Sequence, residues 1–167
     1  MSEAKLAPYV APSILRRIAS MVYEAVLLSA VAFFANGAFF LASGGSDPTA
    51  WQRALHQLYL GAVFAAYFLW CWLRSGQTLA MKTWRIRLVA PGHSRLPPRI
   101  AFVRLLLAAI LIGSFWASVV AAFLSRTPWL SLALLSVTGI GIGWALFDRD
   151  GQFLHDRLAG TRLIGVD

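Results

Sequence analysis

Residues 14–42 read ILRRIASMVYEAVLLSAVAFFANGAFFLA, an apolar run entered through Arg16 and Arg17 and interrupted strongly only by Glu24 and Asn36. The run exceeds the roughly 20 apolar residues that cross a hydrocarbon core, so it predicts a membrane-spanning helix. At a rise of about 1.5 Å per residue, Glu24 lies about 9 Å beyond Ile18, below the headgroups and short of the midplane. An ionised carboxylate at that depth is costly, which marks Glu24 as a functional candidate. Arg17 and Glu24 are two helical turns apart with Ser20 between them, so they share nearly one face. That face is expected to meet protein or water.

Composition extends this reading to the whole chain. Of 167 residues, 59% are hydrophobic and only 13% are charged, and the mean hydropathy is +0.66. That apolar share, gathered in long runs, is a membrane protein's and not a soluble domain's. The net charge of +8 would suit nucleic acid, but the basic residues sit between apolar runs, where the positive-inside rule accounts for them; no nucleic-acid partner is expected. The one cysteine, Cys71, lies inside an apolar run, which excludes a disulfide framework and leaves no metal-ligand spacing. No cofactor is expected.

The sequence predicts four spans, at about 14–42, 55–73, 101–124 and 129–147. Ser13 is a candidate N-cap for the first; a cleaved signal peptide is disfavoured because the apolar run is too long and holds a carboxylate. Residues 43–48 form a loop by their turn chemistry. Trp51, Trp70 and Trp72 flank the second span as an aromatic belt, with His56 read as an interfacial or loop-capping histidine near its outer end. The long connection, residues 74–100, alternates Trp84, Ile86 and Leu88 with Arg85 and Arg87, the period of a half-buried strand. Arg104, in the first turn of the third span, is able to snorkel to the interface. Residues 126–128 form a tight turn, and Gly139 with Gly143 form a GxxxG pair that permits close helix contact.

The tail, residues 148–167, gathers Asp148, Asp150 and Asp156 where the fourth span leaves the membrane. A short amphipathic turn from Phe153 to Ala159, stopped by Gly160, suits the interface. Thr161 to Val166 is a candidate strand to pair with the segment from Trp84 to Val89. All but Arg53 and Arg126 of the fifteen Lys and Arg residues fall at one end of this arrangement. That asymmetry places both termini, the loop and the tail in the cytoplasm.

Four segments, in order, resemble the RDD family of bacterial membrane proteins, named for an arginine and two aspartates. They are Arg16-Arg17-Ile18-Ala19 leading to Glu24; Gly76-Gln77-Thr78-Leu79 with Lys82 and Arg85-Ile86-Arg87-Leu88-Val89; Phe102-Val103-Arg104; and Leu146-Phe147-Asp148 with Leu154-His155-Asp156-Arg157-Leu158-Ala159-Gly160-Thr161. The chain departs from the family pattern in carrying Glu24 where an aspartate is expected. The resemblance implies a single membrane domain over residues 1–167 in the cytoplasmic membrane, with transport or ion exchange suggested for members.

The expected fold is all-α, a bundle of four transmembrane helices with a small basic cytoplasmic loop and C-terminal segment. Arg17, Glu24, Asp148, Asp156 and Arg157 are the candidate ion-binding or ion-pair residues, with Glu24 pairing either Arg17 or Arg157. Transport through the intramembrane carboxylate is one expectation; a non-catalytic assembly or regulatory factor for another membrane complex is the other. His155 and Asp156 are neighbours that do not face each other on a helix, and no nucleophile or phosphate motif accompanies them, so no enzyme is expected. Expected partners are anionic lipid headgroups and a second copy or another membrane protein.

Overall fold

The computed structural model describes residues 11–44, 49–124, 128–148 and 150–166. Four helices are long and apolar enough to cross a membrane: α1 (Ile14–Ala42), α2 (Ala50–Ser75), α4 (Pro98–Leu124) and α5 (Pro128–Gly143), the last extended by a 3-10 turn (Trp144–Leu146). Between and after them lie α3 (Leu79–Thr83), β1 (Ile86–Val89), α6 (Leu154–Leu158) and β2 (Arg162–Gly165). The expected all-α membrane bundle is therefore present. Residues 45–48, 125–127 and Arg149 lie outside the described residues, as do 1–10 and Asp167.

Local chemistry sets the ends of these elements. The Ser13 hydroxyl accepts the Arg16 amide at 3.3 Å and starts α1, as an N-cap should. The helix α2 begins at Ala50, earlier than expected, because the Gln52 side chain turns back to accept the Thr49 amide at 2.7 Å. It ends at Gly76, whose φ of +70° is the left-handed cap that glycine adopts freely. A Cβ there would sit 2.7 Å from the Leu88 carbonyl oxygen. The Gly76 carbonyl in turn accepts the Leu88 amide at 2.8 Å, so this turn docks β1 onto the end of α2.

The spans show their apolar side chains outward: Phe33, Phe34 and Phe40 of α1 and Phe123 of α4 are all more than half exposed, as lipid-facing residues are. The buried core lies instead at one end of the bundle. There Trp72, Met81, Ile86, Leu88, Leu96, Ala101, Phe153 and Leu163 pack together. In β1 and β2, paired antiparallel with Leu88 opposite Leu163, the inward Ile86 and Leu88 are buried and Arg87 is exposed. The anticipated two-strand cap thus exists. It is shorter than the alternation suggested, because Arg85 has φ +51° and Trp84 belongs to the end of α3.

The glycines of α5 pack differently from the expectation. Gly139 and Gly143 have no neighbour within 4 Å of a built Cβ, whereas a Cβ on Gly141 would come within 2.6 Å of Leu111 on α4. The close contact falls between the two GxxxG positions. Beside it the Thr138 hydroxyl donates to the Leu111 carbonyl at 3.1 Å, tying α5 to α4.

Candidate functional site

The polar face of α1 leads directly into the cap, and each of its charged residues finds a partner across an element boundary. Glu24 is buried. Its Oε1 accepts the Tyr67 hydroxyl of α2 at 2.6 Å, and its Oε2 accepts the hydroxyl of Thr78. Thr78 is the N-cap of α3, and its Oγ1 already accepts the Met81 amide at 3.2 Å, so its single proton is directed at Glu24. Three elements therefore converge on one carboxylate with four oxygen atoms.

Arg17 does not pair with Glu24. It donates from Nε to the Pro12 carbonyl at 2.9 Å and from Nη1 to the Gly151 carbonyl, with its guanidinium 5.4 Å from the Phe153 ring centroid. Two turns of helix separate Arg17 from Glu24 by about 10 Å of rise, and the Arg17 side chain leans back toward the helix start, where free carbonyls lie. Sharing a face did not bring the two charges together. Arg16, next to it, donates to the carbonyls of Trp84 and, at 2.8 Å, Arg85.

Arg157 does not meet Glu24 either. Its Nη1 is 2.9 Å from Asp150 Oδ2, its Nε is 3.8 Å from Asp148 Oδ1, and Asp150 also takes Arg162 at 3.0 Å. Asp148 uses its second oxygen to accept the Asp150 amide at 3.1 Å and the Gln152 amide at 2.8 Å. It thereby shapes the turn from the fourth span into α6. A cleft of about 410 Å³ opens beside this turn, lined by Pro12, Ser13, Arg17, Asp148 and Asp150 among others; Glu24 does not line it.

The most buried ion pair was not foreseen. Asp156 on α6 is fully buried, and its Oδ1 meets Arg104 Nε at 2.8 Å. Arg104 does not snorkel to the interface; it is 7% exposed, with its guanidinium 4.4 Å from the Trp72 ring centroid. The helix α4 begins at Pro98, a favoured first-turn residue, which carries Arg104 nearly two turns inside the helix and beneath the cap. His155 Nε2 lies 3.5 Å from the same Asp156 oxygen, while Asp156 Oδ2 and His155 Nδ1 are buried without a hydrogen-bond partner. Burial pushes the His155 pKa below its ordinary value; Asp156 pulls it up and Arg104 pushes it down.

Of the expected residues, the structure joins Asp148 with Arg157 and separates Arg17, Glu24 and Asp156 into three latches. Tyr67, Thr78, Arg104 and Trp72 complete those latches. None of them was named as a site residue, although Thr78 and Arg104 stand inside the segments that carried the family resemblance. At the end of the bundle opposite the cap, His56 stacks on Phe39 at 4.5 Å between ring centroids. Among the described residues, no three His, Cys, Asp or Glu side chains gather to hold a metal ion.

Neither a curated protein nor a solved structure matches this chain. The sequence profile of the RDD family does, over residues 11–160. That span takes in all four membrane helices, β1 and the Arg104–Asp156 pair, and on it the chain belongs to the RDD family of integral membrane proteins.

Proposed function

We propose that this protein moves a proton or a small monovalent cation across the membrane, with Glu24 as the exchanging group. One observation carries the reading: Glu24 is a buried carboxylate inside a span, and among the described residues its partners are two hydroxyls and no cation. A charge in that position requires compensation. Arg17 and Arg157, the cations expected to supply it, are engaged elsewhere. A proton or a hard cation on the Glu24, Tyr67 and Thr78 oxygens would compensate it, since carboxylate and hydroxyl oxygens suit such ions. Rotating either hydroxyl frees a carboxylate lone pair for the incoming ion.

The remaining charges act as scaffold in this reading. Arg17, Arg104 and Asp156 hold the cap against the spans, and Thr78 on that cap holds the exchanging carboxylate. The charge asymmetry supports a cytoplasmic cap with both termini on that side, and the reaction is non-enzymatic. The test is ion and pH flux in proteoliposomes, comparing wild type with Glu24→Gln at matched insertion. Flux lost in the variant supports the proposal; no flux in either refutes it.

A role in assembling or regulating another membrane complex is the second reading. It is favoured by the number of charged residues used up in latching the cap to the bundle, which suits a scaffold better than a pathway. Co-purification of one dominant partner, without flux by the protein alone, would select it.

A further inference from the structure

We infer that the cap-side end of α2 binds the phosphate headgroup of an anionic phospholipid, through Arg74 and Arg87 beside Trp70. This inference is independent of the transport reading. The sequence separates Arg74 from Arg87, but the Gly76 turn and β1 bring them to one place. Arg87 donates from Nε to the Ser75 carbonyl at 3.2 Å, at the last residue of α2. Arg74, one residue earlier, lies with its guanidinium 5.3 Å from the Trp70 ring centroid. Both arginines are exposed, and the Trp70 side chain is 64% exposed.

Charge accounting points to a partner outside the chain. The described carboxylates are all engaged internally: Glu24 with hydroxyls, Asp148 with backbone amides and Arg157, Asp150 with Arg157 and Arg162, and Asp156 with Arg104. Among the described residues, neither Arg74 nor Arg87 has an acidic partner. Both stand where a span leaves the hydrocarbon layer, which is where lipid phosphates lie. Arginine offers a planar fork that matches phosphate oxygens, and an exposed tryptophan at that level is an interfacial anchor. The same site on a soluble surface would suit free phosphate; here the ring of Trp70 and the span beneath it favour a lipid.

The full-length protein is reconstituted in an equimolar mixture of phosphatidylglycerol and phosphatidylcholine. Lipids retained after detergent extraction are then quantified by mass spectrometry. The wild type should retain phosphatidylglycerol preferentially. Removing one cation at such a surface weakens the attraction about fivefold, so Arg74→Gln should lower the enrichment by that factor, and Arg74→Gln with Arg87→Gln by roughly 30-fold. Arg74→Lys, which keeps the charge, should stay nearer wild type. Arg53→Gln, at the opposite end of α2, should leave the enrichment unchanged. Arg74→Gln alone keeps the test valid if the double variant folds poorly, because the exposed Arg74 side chain has only its stacking on Trp70. Equal retention of the two lipids by wild type, or an equal loss in Arg53→Gln, overturns the proposal. So does displacement of the lipid by soluble glycerol phosphate at matched concentration.

Discussion

Replacing Arg104 by methionine should be the most damaging single change in the cap. Asp156 is fully buried and its 2.8 Å bond to Arg104 is its strongest contact; the Thr161 hydroxyl and His155 both lie at 3.5 Å. Arg104→Met keeps the bulk of the side chain and its packing near Trp72, but leaves a buried carboxylate with no cation. Breaking one side of a buried pair costs about 3–5 kcal/mol. Removing both charges, in Arg104→Met with Asp156→Leu, should restore most of the stability, because two buried charges are then no longer desolvated. Arg157→Met is the control. Its side chain is half exposed, and such pairs contribute less than about 1 kcal/mol. The assay is denaturation of purified protein at fixed detergent concentration. A loss in Arg104→Met no larger than in Arg157→Met would refute the latch, as would a double variant worse than the single.

Further changes probe the other contacts. Thr78→Val removes both the N-cap of α3 and a donor to Glu24, so it should cost about 1–2 kcal/mol in the same assay and lower flux; Thr78→Ser should retain both. Because burial depresses the His155 pKa, the folded state resists protonating it while the unfolded chain does not. Stability should therefore fall as pH drops through the ordinary histidine value of about 6.5 and level off below the depressed folded value. In His155→Gln, with Asp156 and Arg104 still in place around that position, the acid-side slope should flatten. Gly141→Ala must displace Leu111 while Gly139→Ala meets nothing, so the first should be less stable than the second by on the order of 1 kcal/mol. Adding Leu111→Ala should remove the difference.

The spans were legible because each is a long apolar run, and length alone separates such a helix from a core helix. The strand pair was legible in part: Ile86 and Leu88 alternate with arginines, but nothing in that pattern marks the left-handed Arg85 that cuts the strand short. The five-residue α3 is too brief to display a period. Charge pairing was the least legible feature, for a specific reason. Helical spacing tells which residues share a face, so Arg17 and Glu24 looked like partners, whereas partners are chosen across elements. Glu24 meets Tyr67 and Thr78, and Asp156 meets Arg104, through contacts spanning 43, 54 and 52 residues of chain. The spacing of α5 likewise exposed a GxxxG pair, but the rotation of the helix against α4 put Gly141 at the contact.

Ion exchange at Glu24 can be read by infrared difference spectroscopy of the reconstituted protein. Spectra would be recorded as the pH or the monovalent cation concentration is changed, for wild type and Glu24→Gln. A carboxyl band should be exchanged for a carboxylate band in wild type; that change should be missing in Glu24→Gln and shifted in Tyr67→Phe, where one oxygen loses its donor. A spectrum that does not change with either ion, or that is the same in Glu24→Gln, would rule out exchange at Glu24 and leave it as a carboxylate that only joins α1 to α2 and α3.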